Sequence, residues 1–227
     1  MKLPVLFIFF LLIGLTGFSQ TIVIKDLTSL SDQLTYQRSR GETNYNDIEG
    51  TPFLNRQFII GEVIVNDSIH YENVPLRYNI YSDNIEFMND QKQVLEINNS
   101  QSKYQFKFDN HQFTVRDYLN YGKTAHGILE RLVDGKIQLY KKYQVDFALA
   151  TKAIGFKDAV PNRFVRKDDT YLISAEKELP SAIGSKKALF EKLKSFKSDI
   201  EKYAKSRKLN PKKEEDLIQL IQYCNNE

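Results

Sequence analysis

Three histidines, His70, His111 and His126, are the side chains of this 227-residue sequence whose charge ordinarily changes near neutral pH. Each lies in or beside a segment of alternating apolar and polar residues. No two share the close spacing that places two ligands on one metal ion. A catalytic triad needs a nucleophile near one of them. His126 and Asp134 are a conceivable base and orienter, yet no Gly-x-Ser-x-Gly turn presents a serine to them. Ten glycines are too scattered to form a phosphate loop. Two carboxylate pairs remain, and both have structural readings. Asp168-Asp169 belongs to a turn, and Glu214-Glu215 opens a helix, where negative charge suits the dipole. The single cysteine, Cys224, allows neither a disulfide within the chain nor a multi-cysteine metal site, and reads as a small apolar residue on a terminal helix. No cofactor, no metal and no enzymatic activity are expected.

Residues suited to contact rather than chemistry stand out more clearly. Arg77 sits between Leu76 and Tyr78 on the less apolar face of a strand. It either pairs across the sheet with Glu86 or recognises an anion or a partner. Tyr78, Tyr81, Phe196, Tyr203 and Tyr223 complete the candidate interaction residues. The run from Lys186 to Lys213 is basic and interleaved with aromatics, diluted by Glu191, Asp199 and Glu201. It is a solvated helix face or a contact for a membrane surface.

These residues need elements to hold them. From Asn73 to Phe87, Leu76, Tyr78 and Ile80 alternate with Arg77, Asn79 and Tyr81, the period of a half-buried strand. Ser82-Asp83-Asn84 supplies turn chemistry. Phe58 to Val65 predicts a buried strand with a bulge or close approach at Gly61, and Asn66-Asp67-Ser68 turns the chain back. Shorter strands are expected at Val94–Ile97, Tyr104–Phe108 and Phe113–Tyr118, with Asp109-Asn110 as a two-residue hairpin connection. Asp134-Gly135 joins Gly127–Val133 to a long second arm, Lys136–Phe147. Phe164 to Ile173 reads as a last hairpin around Lys167-Asp168-Asp169. The period then changes: Ser185 is a candidate N-cap, and Leu189, Leu193, Phe196, Ile200 and Tyr203 recur at helical steps. Asn210-Pro211 begins a second helix, with Leu217, Leu220, Ile221 and Tyr223 as its stripe.

The pattern predicts a mainly β protein, an antiparallel meander, sandwich or small barrel with a C-terminal helical hairpin. Its divisions are a signal peptide over 1–19, an N-terminal arm over 20–50, the β domain over 51–175 and the hairpin over 185–224. In the arm, Thr21–Ile24 reads as a short strand, Leu27–Tyr36 as a turn or two of helix, and Arg38–Gly50 as a loop. The signal rests on Lys2, the apolar run Leu3–Leu15, and Gly17-Phe18-Ser19 at the cleavage positions. That run is too short to span a bilayer, which takes about 20 residues. No cysteine follows it, which speaks against a lipid anchor, and no transmembrane segment is expected in the mature chain. A formal charge of +3, or +2 without Lys2, predicts no general nucleic-acid role.

Gly50-Thr51-Pro52-Phe53-Leu54-Asn55, Val74 to Tyr81, Ile85-Glu86-Phe87, Val133 to Lys136, Leu139 to Tyr143 and the lysine-rich end from Leu209 to Tyr223 resemble a family of exported proteins of Bacteroidota. The signal ending Phe18-Ser19-Gln20 is similar to that phylum's signals too. The resemblance implies export to the periplasm or the outer-membrane periphery and carries over no catalytic residue. Two functions are expected from these features. One is a non-enzymatic accessory subunit docked on an outer-membrane protein complex. The other is a binding module that holds a small apolar or amphipathic, lipid-like ligand in a β cavity.

Overall fold

Asn and Asp tolerate left-handed backbone better than other non-glycine residues, and here they place the turns. Asn66 and Asp67 (φ 53° and 58°) join β3 (Ile59–Val65) to β4 (Ile69–Asn79). Asp109 and Asn110 (φ 52° and 61°) join β7 (Tyr104–Phe108) to β8 (His111–Asn120) in a two-residue loop. Tyr121 and Gly122 do the same between β8 and β9 (Lys123–Val133). The computed structural model describes residues 23–25, 36–38, 45, 48–100, 104–153, 155, 158–175 and 178–226. The signal, the Leu27 helix apart from Tyr36, and most of the 38–50 loop lie outside them.

The remaining strands are β1 (Val23–Lys25), β2 (Tyr36–Arg38), β5 (Asn84–Met88), β6 (Val94–Ile97), β10 (Ile137–Lys142), β11 (Val145–Ala148), β12 (Arg163–Arg166), β13 (Thr170–Ala175) and β14 (Ser181–Ala182). The protein is mainly β, 46% strand against 17% helix. One large sheet runs β14-β13-β10-β9-β8-β7-β3-β4-β5-β6-β2, with β1 parallel to β4. Its first edge does not stay open. β14 returns to β8, where the Leu119 amide donates to the Pro180 carbonyl at 2.8 Å. Strands β8, β9, β10, β13 and β14 therefore close a five-strand barrel inside the larger sheet.

Period-2 alternation gives the barrel two faces. Tyr118, Leu129, Tyr140 and Leu172, one from each of four barrel strands, form a small cluster of their own that fills the ring. Outward residues feed two further cores. Phe113, Val115 and Ile128 join Tyr71, Leu76, Tyr78 and Phe87 under the curved part of the sheet. Val133, Ile137, Leu139 and Ile173 instead meet three C-terminal helices, α1 (Lys186–Lys194), α2 (Ile200–Ser206) and α3 (Glu214–Asn225). Leu189, Leu193, Leu217, Leu220 and Ile221 are buried there, and each contributes about 1.5–3 kcal/mol. The amphipathic stripe thus packs on the protein's own barrel.

Gly61 marks a close approach, as its position in the strand predicts. The β3–β4 register shifts between Gly61 and Val63. A Cβ there would lie 2.4 Å from the Lys107 carbonyl oxygen and 2.6 Å from the Phe108 Cβ. Gly61→Ala is expected to push β3 from β7 and cost about 1–3 kcal/mol in urea denaturation.

Four expectations need correction. Arg163–Arg166 and Thr170–Ala175 are not partners: β12 pairs with β11 in a separate two-stranded sheet, while β13 pairs with β10 and β14. The long arm Lys136–Phe147 is two strands, because the chain leaves the barrel at Tyr143, whose ring enters the main core. The first helix breaks over 195–199, where the Phe196 amide bonds Leu193 and the Ile200 amide bonds Lys197. These tight turns keep the apolar stripe on one side. The last helix starts at Glu214, since Asn210 spends its side chain on the Lys212 amide and its carbonyl on the Lys213 amide. The Ser185 cap stands as expected, accepting from the Ala188 amide at 3.1 Å.

Candidate functional site

Each histidine is tied to a carboxylate on an adjoining strand. His70 bonds Glu62, which also holds Lys107 Nζ at 3.1 Å. His111 Nδ1 lies 2.5 Å from Glu130 Oε1. His126 Nδ1 lies 2.7 Å from Asp117 Oδ1, and its Nε2 lies 2.8 Å from the Asn99 carbonyl oxygen. Both partners of His126 are acceptors, an arrangement that favours the protonated ring, with both nitrogens donating. The bond to Asn99 raises its pKa, burial opposes that, and Asp117 adds to the rise. A ring so engaged offers no lone pair to a substrate. Asp134 bonds Gln138 and pairs with Arg131, so the conceivable His126–Asp134 combination is not assembled.

A pH dependence follows from these pairs. The bond to Glu130 raises the His111 pKa above its ordinary 6.5, against burial, and His126 is raised as well. Their stabilisation is complete below about pH 6.5 and is lost as pH rises through the elevated folded values. Glu62 and Glu130 behave oppositely. Burial pushes both up, but their bonds to His70 and Lys107, and to His111 and Tyr143, outweigh it and hold both below 4.5. Their contribution is present above about pH 4.5 and lost on acidification. Thermal melts from pH 3 to 9 should therefore show highest stability between about 4.5 and 6.5. A midpoint that climbs steadily to pH 9 contradicts this.

The interaction candidates have definite places. Arg77 faces Glu86 across β4–β5: its Nε donates to Glu86 Oε2 at 3.0 Å, and its guanidinium lies 3.8 Å over the Phe53 ring. Asn79 Nδ2 supplies the other Glu86 oxygen at 3.0 Å. Arg77 is thus consumed by its own sheet. Tyr78 is only 1% exposed and donates to Asp83 at 2.7 Å, which corrects its place among surface contacts. Tyr203 and Tyr223 stack on each other at 3.8 Å, and Tyr223 donates to Asp199. Phe196 is half-buried in the same helical core. Tyr81 alone of the set is largely exposed (49%), beside the rings of Phe147 and Phe164. Cys224 is buried, which pushes its thiol up to about 11 and keeps it protonated and inert at neutral pH.

An opening of about 780 Å³ lies elsewhere, between the barrel and the helices. One wall is the β12–β13 turn with Tyr171. The other is the start of α1 and the α2–α3 connection. Leu189 and Leu217 form apolar floor, while Lys186 and Lys212 stand exposed on the rim. The first turn of α1 carries no acidic residue to offset its dipole. The far wall is braced from behind. Lys141 Nζ reaches Glu214 at 2.7 Å, and the Tyr171 hydroxyl donates to Glu214 at 2.9 Å, so the start of α3 is fixed to β10 and β13. The basic run from Lys186 to Lys213 touches this site, as do the Asp168-Asp169 turn, the Ser185 cap and Asn210-Pro211. Tyr121, Lys167, Asp168 and Tyr171 come from other segments, and sequence reasoning did not join them to it.

Among the described residues no group of three or more His, Cys, Asp or Glu is disposed to hold a metal ion. No helix among them is long and apolar enough to cross a membrane. Comparison with protein-family models, curated proteins and solved structures gave no match.

Proposed function

We propose that this chain is an exported, non-enzymatic binding protein of the bacterial cell envelope, working in the periplasm or at the outer-membrane periphery. The observation that carries this reading is the groove between barrel and helices, whose size lies within the range of small-molecule sites. A ligand inside the ring is not supported, because Tyr118, Leu129, Tyr140 and Leu172 fill it. The titratable clusters serve the fold, which favours binding over catalysis. Native mass spectrometry of protein gently purified from the envelope tests the proposal. A persistent adduct of lipid-like mass is expected. A bare polypeptide mass under conditions that preserve other lipid complexes counts against it.

The accessory-subunit reading keeps one observation in its favour, the exposed Tyr81 and Leu149 at the small β11–β12 sheet. It loses the helix stripe, which is buried at home. A stoichiometric outer-membrane complex lost on Tyr81→Ser would support it.

A further inference from the structure

We infer that the groove accepts an anionic amphiphile, a single acyl or alkyl chain with a carboxylate or phosphate head, an inference that rests on the binding reading above. The lining has two characters, apolar and cationic. Leu189 and Leu217, 2% and 1% exposed, are already buried beneath the groove, and its accessible apolar surface comes from Tyr121, Tyr171 and Ile183. Four cations against two carboxylates line the groove. Arg166 is neutralised by Asp169, and Lys167 pairs with Asp146 outside. Among the described residues neither Lys186 nor Lys212 has a carboxylate within 4 Å; Lys186 Nζ lies 5.8 Å from the centre of the Phe190 ring, and Glu201 feels its charge only at a distance. Both are exposed on the rim, where a long side chain can rest its stem on apolar surface and keep its ammonium in water to receive a charged head.

Alternatives fit less well. An inorganic anion leaves the accessible faces of Tyr121, Tyr171 and Ile183 in water, and a neutral chain leaves the lysines unanswered. Asp168, the remaining lining carboxylate, belongs to the opposite wall. The head therefore goes to the side of Lys186 and Lys212.

Calorimetric titration below the micellar concentration tests this, using dodecyl phosphate, laurate, dodecanol and inorganic phosphate on the purified protein. The two anionic amphiphiles are expected to bind, and dodecanol about tenfold or more weakly, the scale of one charge-assisted contact. Inorganic phosphate should give no heat of binding. Affinity should rise roughly three- to fourfold per methylene from octyl to dodecyl phosphate. The double variant K186E/K212E changes only exposed side chains, so it should fold, as circular dichroism will verify, and lose about tenfold or more. A tenfold preference for phosphate or for carboxylate assigns the head, and either result supports the inference. Equal binding of dodecanol, an unchanged double variant, binding of inorganic phosphate alone, or no binding by any probe overturns it. Silent titrations with an adduct still present on envelope-purified protein would remove this ligand class and leave the binding reading standing. Silent titrations with a bare mass would remove both.

Discussion

Glu130→Ala should destabilise the protein by about 3–5 kcal/mol in urea denaturation, the cost of breaking a buried charged network from one side. Glu130 is 5% exposed and serves three donors: His111 Nδ1 at 2.5 Å, the Tyr143 hydroxyl at 2.6 Å and, more distantly, Lys141 Nζ at 3.8 Å. Its removal leaves the Tyr143 hydroxyl without this acceptor and His111 without its carboxylate, while Lys141 keeps Glu214. The effect reaches further than one strand pair. Tyr143 is where the chain leaves the barrel, and Lys141 is also the anchor of Glu214 on α3. A second signature separates this account from mere loss of packing. The bond to Glu130 is the main reason that His111 is raised, so the variant should lose the His111 share of the decline above pH 6.5. A loss below about 1 kcal/mol, as an exposed pair would give, contradicts the account.

Asp83→Ala carries a comparable expected loss, about 3–5 kcal/mol at neutral pH. Asp83 stands in the β4–β5 turn at φ 55° and reaches across to the barrel. It accepts from the Tyr78 hydroxyl at 2.7 Å and pairs with Lys142 Nζ at 2.5 Å. Lys142 also donates to the Ile128 carbonyl at 3.1 Å. Burial lowers the Lys142 pKa, and Asp83 limits the fall. Without Asp83 that folded pKa drops further below the unfolded one, so the unfolded chain binds more protons and stability rises with pH. The variant should therefore recover part of its loss as pH rises toward the ordinary lysine value of about 10.5. Asp83→Asn is the control for the turn, since asparagine also accepts a positive φ, and should share the pH signature. Gly127 belongs to the same contact: a Cβ there would sit 2.2 Å from Asp83 Oδ2.

Much of this fold was legible because local chemistry decided it. Asn66-Asp67 and Asp109-Asn110 must turn the chain, and the alternation of Leu76, Tyr78 and Ile80 must be buried on one side. Ser185 caps a helix for the same local reason. What alternation does not specify is the partner of each strand. Arg163–Arg166 and Thr170–Ala175 read as a hairpin, yet β13 finds β10 and β12 finds β11, choices made by the barrel's closure. The apolar steps of 185–203 survive a break at 195–199 because two tight turns preserve the face. Arg77 and Glu86 were readable as a cross-strand pair, since β4 and β5 are joined by a short turn. The groove was not readable as a site, for its walls come from segments around positions 121, 168, 186 and 212 that only the barrel and helices bring together. Tyr78 was misplaced for the opposite reason, a polar tip on a residue whose body belongs to the core.

The most direct test of the central claim, that the opening between barrel and helices is the binding site, is hydrogen–deuterium exchange of the purified protein with and without envelope lipid extract. Protection is expected in the peptides spanning 166–171, 183–189 and 210–217, with the β4–β5 turn unchanged. Protection confined to the β11–β12 sheet around Leu149, or none anywhere, contradicts the assignment.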